Sequence, residues 1–336
     1  MKELCPHKKA IDSATSLSIY SCAQNLPSNK SFAINKFMSI KPTKHVLLIF
    51  SMATLLLASC TDSMAPVYAG TTVQIINPEK LSELENHFQR YGYTLNEFEN
   101  GIPPIILQSF PQEITEVGSI KQKKKVFFQS LLPIILLANQ EILRERDTLK
   151  RLQDRFLASA GKLNETETHQ LETLGKRYGV HIQKTPDLNT IKKLLDRIDI
   201  IPADLALAQA ANESAYGTSR FSQLANNLFG EWTFTPGTGI VPEGRPEGEI
   251  YEVRRFSSLL DSVRSYQKNL NTHSAYRTFR ALRAAARKQS KQLRGAKLAE
   301  GLLNYSTRRE AYIADLQAMI RYNRLDRYTS AQLRKS

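Results

Sequence analysis

The sequence predicts an α+β fold that is mostly α. Two observations carry this. Apolar residues recur at three- and four-residue spacing in segment after segment, while only 230–256 breaks into short β-prone runs parted by glycine and proline. With 336 residues and 41% hydrophobic content, the chain has enough apolar side chain to bury a sizeable core.

The elements follow in order. Residues 1–59 read as a leader. The uncharged run Val46–Ser59 is preceded by Lys41, Lys44 and His45. At about 1.5 Å per residue it spans roughly 21 Å, short of the ~30 Å hydrocarbon core, so it suits a secretory signal better than a permanent membrane helix. Its end, Leu57-Ala58-Ser59-Cys60, resembles a bacterial lipobox, which implies lipidation of Cys60. Thr61 follows instead of Asp, and by resemblance to Gram-negative lipoproteins this implies the periplasmic face of the outer membrane. Residues 1–37 fit no signal design, so translation is expected to start at Met38. Finding residues 1–37 on the mature protein by N-terminal peptide mass would refute that start.

Residues 60–77 read as a tether, 78–185 as a helical region and 186–336 as a separate domain. Leu81, Leu84 and Phe88 predict a first helix within 78–91. Three prolines in 102–111 exclude a long helix there. The strongest helical pattern is 121–157, with Pro133 predicting a kink or restart. A second helix, 165–178, follows the break at 161–164. Helices are then expected over 189–197, from Pro202 to about Tyr216 with Gly217 closing it, and around 219–225. A small β-hairpin or three-stranded patch occupies 230–256. Helices at 259–270, capped by Ser257, and near 276–288, 295–303 and 309–321 complete the chain.

Charge is uneven. The net +14 places 19 basic against 5 acidic residues in 253–336, and removing the leader leaves the segment 60–252 mildly acidic. The basic stripe Arg277, Arg280, Arg283, Arg287, Lys288, Lys291 and Arg294 reads as one solvated face, suited to anionic wall polymer or lipid headgroups. Nucleic-acid motifs are absent, and no nucleic acid is expected as partner. The cysteines are Cys5, Cys22 and Cys60, so no disulfide framework or cysteine nucleophile is available beyond residue 60. Six histidines stand at no metal-ligand spacing, so neither a metal nor another cofactor is expected.

The informative string is Leu205-Ala-Leu-Ala-Gln-Ala-Ala-Asn-Glu-Ser-Ala-Tyr-Gly-Thr-Ser-Arg220, followed by Asn226-Asn-Leu-Phe-Gly230. It resembles the glucosaminidase family, glycoside hydrolase family 73, and within it the Bax-type proteins. Segments 127–139 and 198–202 also look Bax-like, so the resemblance covers roughly 123–324. It implies a lysozyme-like glucosaminidase domain over 186–336, endo-β-N-acetylglucosaminidase activity on the β-1,4 bond after N-acetylglucosamine in peptidoglycan, and Glu213 as the catalytic acid. A carboxylic acid can protonate a poor leaving group near neutral pH only if its pKa is raised, and a helix end at a cleft wall offers that burial.

The family also implies a second glutamate in the hairpin. Glu243, Glu247, Glu249 and Glu252 are all available. Strand alternation favours Glu249 if Tyr251 and Val253 face the body, and Glu252 if they do not. The substrate's own acetamido group is a further candidate. Tyr305 matches a functionally important family tyrosine near the cleft. Tyr216, Asn227, Phe229 and Trp232 are candidate substrate contacts; Trp232 could equally pack under the hairpin. Tyr312 reads as a core residue or as a second sugar contact. Two other functions remain open: a lytic transglycosylase, which needs one glutamate, and a non-catalytic wall-binding lipoprotein.

Overall fold

The structure is a computed structural model that describes residues 67–68, 71–183 and 185–334. The leader 1–59, Cys60 and the first part of the tether lie outside the described residues. The α+β, mostly α class is what the described residues show.

The end of the expected tether is built into the fold. Strands β1 (Val67–Tyr68) and β2 (Thr71–Thr72) pair antiparallel, and β3 (Gln74–Ile76) pairs parallel with β4 (Ile105–Leu107). Val73 and Ile76 are buried, which the low polarity of 73–76 already favours over a solvated linker. Between β3 and β4 lies α1 (Leu81–Arg90), which buries Leu84 and Phe88 as their spacing requires. The proline-rich segment is extended, and Ile102 bridges to Leu333 beside the C-terminus.

Helix α2 (Ile120–Ala158) runs uninterrupted through Pro133, so the expected restart does not occur. Proline removes one helical N–H, but burial of the whole stretch Val126–Asn139 holds the helix together around it. Helix α3 (Glu165–Tyr178) is closed by Gly179 at φ 64° and packs back on α2 with α4 (Leu188–Arg197). Their contact forms a small core around Leu149, Leu171, Ile191 and Leu194.

The main core is larger and crosses the expected boundary at 185/186. Helix α5 (Ala203–Ser214) sits inside it, with Leu205, Ala206, Leu207, Ala208 and Ala210 fully buried. Alanines make that possible, because α2 on one side and α10 (Glu310–Tyr322) on another can approach the α5 backbone closely. The region 78–185 and the domain 186–336 therefore share one hydrophobic core.

After α5 come α6 (Arg220–Ala225) and a three-stranded antiparallel sheet of order β5–β7–β6, formed by β5 (Trp232–Thr233), β6 (Gly239–Ile240) and β7 (Glu252–Arg254). Helix α7 (Leu259–Thr272) starts at Ser258, whose Oγ accepts from Asp261 N, one residue past the expected cap. Helices α8 (Arg277–Lys288) and α9 (Gly295–Leu298) follow, and 3-10 turns cover Ala299–Leu302 and Leu325–Ser330.

Of the basic stripe, Arg277, Lys288, Lys291 and Arg294 are exposed as expected, but Arg280, Arg283 and Arg287 are held by protein groups. Arg283 is 1% exposed and donates to the carbonyls of Asp196, Arg197, Asp199 and Ile200, at the C-terminal end of α4, and to Asn271 Oδ1. Arg280 is also buried, on the carbonyls of Leu270 and His273. Arg287 grips the buried Asp199 carboxylate at 2.8 and 3.0 Å. Free carbonyls at a helix C-terminus and a buried carboxylate attract guanidinium groups, and this outweighs the solvation that a regular charge spacing suggests.

Gly301 is where the turn Ala299–Leu302 meets α8. A methyl group there would collide with the Phe279 backbone at Cα and N. Gly301→Ala is expected to cost about 3 kcal/mol through overpacking, read as a lower urea midpoint at unchanged slope.

Candidate active site

Glu213 stands in the last turn of α5, and the chain leaves that turn abruptly. Ala215, Tyr216 and Gly217 all have positive φ, at 50°, 59° and 80°. Two consecutive non-glycine residues in the left-handed region are strained, and the surroundings hold them there. Ser214 Oγ donates to the Ala210 carbonyl at 2.6 Å and accepts from Gly217 N at 2.9 Å. The Tyr216 ring is set edge-on to Phe127 and Phe128 of α2. Helix end and turn are thus locked on both sides of Glu213.

Glu213 is 5% exposed. Burial pushes its carboxyl up to about 7, against smaller opposing effects from hydrogen bonds to Tyr312 and Asn212 and from the Arg308 charge. A directed chain of hydrogen bonds reaches it. Tyr266 O–H donates to Gln209 Oε1 at 2.7 Å, and Gln209 Nε2 donates to Tyr312 Oη at 3.0 Å. The Tyr312 oxygen is thereby an acceptor toward Gln209, which leaves its proton for Glu213. Gln209 and Glu213, four residues apart on α5, lie on one face as helical geometry requires.

Tyr312 is therefore both a core residue, 1% exposed, and a partner of the candidate acid. Tyr305 stacks on it with centroids 5.4 Å apart and is itself 3% exposed. Phe229 is 1% exposed and stacks on Tyr266 at 3.9 Å. These rings build the floor beneath the acid.

The other expected residues are placed differently. Asn227 is 2% exposed, with Nδ2 donating to the carbonyls of Glu231 and Arg254 and Oδ1 accepting from Glu231 N. Its amide is fully engaged in tying the loop to β7, so it has no group left for a substrate. Trp232 is half-buried against Tyr251 at 4.8 Å and lines a cavity with Phe229, Tyr276 and Tyr305.

Of the four hairpin glutamates, Glu243, Glu247 and Glu249 are exposed, and Glu243 lies 3.6 Å from Arg220. Glu252 is enclosed, and both its oxygens accept backbone N–H groups, from Gly237 at 2.9 Å and Gly239 at 2.8 Å. Those bonds hold its carboxyl below the usual range. Val253 points into the core while Glu252 clamps the turn below, so simple strand alternation does not sort the two faces here.

Sequence reasoning passed over Glu231. It lies one residue past the Asn-Leu-Phe-Gly string, and burial pushes its carboxyl up to about 7 as well. A charged residue wedged between Gly230 and Trp232, at the entry to a short strand, was the available signal.

The chain is similar to proteins of the glucosaminidase family. A family model for glucosaminidases, described as mannosyl-glycoprotein endo-beta-N-acetylglucosaminidase, matches residues 188–325. Protein bax of Escherichia coli (strain K12) is 33% identical over 201 residues, which is 60% of this chain and 70% of that protein. The catalytic domain of the autolysin Auto from Listeria monocytogenes is 20% identical, over 52% of this chain and 96% of that one, at a TM-score of 0.30.

Proposed function

The chain belongs to the glucosaminidase family as a Bax-type member, and from that premise we propose that it is a peptidoglycan hydrolase that cleaves the β-1,4 bond after N-acetylglucosamine with Glu213 as general acid. One observation carries the assignment of the acid. Glu213 is the carboxyl group that ends α5, enclosed and raised to about 7, with a phenol proton directed at it.

The chemistry follows from those properties. At neutral pH a fraction of Glu213 is protonated and can deliver that proton to the glycosidic oxygen as the bond breaks. The conjugate carboxylate is then stabilised by the hydrogen bonds from Tyr312 and Asn212. Positive charge develops at the anomeric carbon and needs a partner. Glu252 is the better placed of the two hairpin candidates to remain anionic, since its backbone hydrogen bonds favour the charged form. Glu249 is solvent-exposed and would need the hairpin to fold inward. The substrate's acetamido oxygen can serve as nucleophile in place of either.

A second reading is favoured by the same observation on Glu252. Both its oxygens already accept backbone hydrogen bonds, so it is a poor base for water, and a lytic transglycosylase needs only Glu213. The proposed setting is periplasmic, with Cys60 lipidated and the protein anchored to the outer membrane; intact mass of the mature protein tests that anchor. Mass spectrometry of peptidoglycan digested by the protein tests the reaction. Products ending in reducing N-acetylglucosamine support hydrolysis. Anhydro-muramic ends support the transglycosylase, and no products at all would leave only a wall-binding role.

A further inference from the structure

A cavity of about 270 Å³ opens beside the β-sheet, walled by Phe229, Trp232, Tyr276 and Tyr305. Glu231 lines it together with Ser265. Glu231 Oε2 accepts from Ser265 Oγ at 2.8 Å and lies 3.6 Å from Arg254 Nη1. Its Oε1 is buried and has no hydrogen-bond partner in the protein. A buried carboxylate oxygen without a donor has lost its hydration with no hydrogen bond in return, an arrangement native folds rarely leave unused.

The backbone offers no relief. Asn227 pins both the N–H and the carbonyl of Glu231, so the residue cannot swing outward. Rotation about χ3 of a glutamate is soft, however, and turning a carboxylate oxygen toward the cavity exchanges the Ser265 hydrogen bond for one that a ligand offers. The cavity chemistry selects the donor. Aromatic faces pack well against the C–H face of a pyranose ring, and a carboxylate takes hydroxyl or amide N–H donors while it repels phosphates and carboxylates.

We propose that Glu231 is a saccharide-binding residue of this cavity, its carboxylate accepting a hydrogen bond from a hydroxyl or acetamido N–H of a sugar ring packed against the half-buried Trp232. The inference rests on the glycan-cleaving function proposed above and adds a contact to it.

A proton signature follows. Burial raises the Glu231 carboxyl to about 7 against the pull of Ser265 and Arg254. The other charged or titratable groups around it are Arg254 on β7, Lys268 on α7, and the phenols Tyr276 and Tyr305. Both phenols are held well above their ordinary value, so neither titrates near neutrality. A sugar donor stabilises the anionic carboxylate, lowers its pKa, and so releases protons on binding near pH 7.

The experiment is calorimetric titration of N-acetylchitotetraose into the full chain carrying Glu213→Gln, at pH 7 in two buffers of different ionisation enthalpy. That background prevents cleavage and removes the other carboxyl that titrates near 7. Binding with net proton release is expected. Adding Glu231→Leu should weaken affinity about 10-fold and abolish the release, the loss of one charge-assisted hydrogen bond. Adding Glu231→Gln should weaken binding less and also abolish the release. Unchanged affinity in a cooperatively melting Glu231→Leu chain overturns the inference while leaving the glycan function standing. If the leucine variant does not fold, proton release that persists in Glu231→Gln overturns it. Failure of every chain to bind the tetrasaccharide overturns this inference and the proposed function together.

Discussion

Replacing Glu213 by Gln is expected to lower kcat on peptidoglycan by about three orders of magnitude, with KM little changed, and at the same time to make the protein more stable above neutral pH. The first effect is the loss of a general acid, for which about 10²–10⁴-fold is usual. Gln keeps the size of the side chain and can still accept from Tyr312 and Asn212, so the site should keep its shape.

The second effect follows from burial. In the unfolded chain Glu213 ionises near 4.5, and in the folded protein near 7. As pH rises through 4.5, the unfolded state of the wild type gains by releasing a proton that the folded state still holds. Folding stability therefore falls across the window from about 4.5 to about 7 and then levels off, by about 3 kcal/mol in total. The glutamine variant has no such loss. Urea midpoints should coincide at pH 4 and separate by pH 8, with the variant the more stable. The wild-type rate should fall on the alkaline side with an apparent pKa near 7, because only the protonated acid donates. A variant that stays active, or one equally stable at pH 8, would remove Glu213 from this role.

Much of this geometry is legible in the sequence, and the exceptions have physical causes. Helices α3, α4, α5 and α10 stand within a few residues of where periodicity and capping place them, because each is amphipathic or closed by a local signal such as Gly179. Glu213 is legible because its whole surrounding string is distinctive. Pro133 does not restart the helix because tertiary burial of α2 overrides a local defect.

Other readings fail because they depend on what stands opposite. Periodicity assigns Arg280, Arg283 and Arg287 to a face, and water is the usual partner of such a face. Here the partners are carbonyls and Asp199, up to 88 residues away in sequence, and no local pattern carries that information. Glu252 and Glu231 differ in the same manner. One is tied to the Gly237 and Gly239 amides and the other faces an aromatic wall, and both facts arise only once the sheet closes.

A chain starting at Asp187, which keeps the whole segment matched by the family model, is expected not to fold. The family match begins at 188, but the physical unit begins near Thr71. Removing the earlier residues strips α5 of α2, whose Leu131, Ile134 and Ile135 are fully buried in the shared core, and removes β4 with its three buried residues. At about 1.5–3 kcal/mol for each large apolar side chain, losing even six of these contacts costs about 9–18 kcal/mol, comparable to the 5–15 kcal/mol that stabilises an ordinary domain.

Polar ties crossing the same line would also be orphaned. Asn139 exchanges hydrogen bonds with both the carbonyl and the N–H of Ile201, at 2.8 and 3.2 Å. Arg146 caps the carbonyls of Leu195 and Ile198, and Glu141 holds Arg264 through two hydrogen bonds of 2.5 and 2.9 Å. The C-terminal tail would lose Ile102, which accepts from Arg334 N at 2.7 Å. Near-ultraviolet circular dichroism and thermal melting of chains 71–336 and 187–336 test this directly. The longer chain should melt cooperatively, and the shorter should show no tertiary signal and no sharp transition. A cooperatively folded 187–336 would mean that the first helices are a detachable cover over a self-sufficient catalytic domain, whereas its collapse makes them part of the wall that holds Glu213 in place.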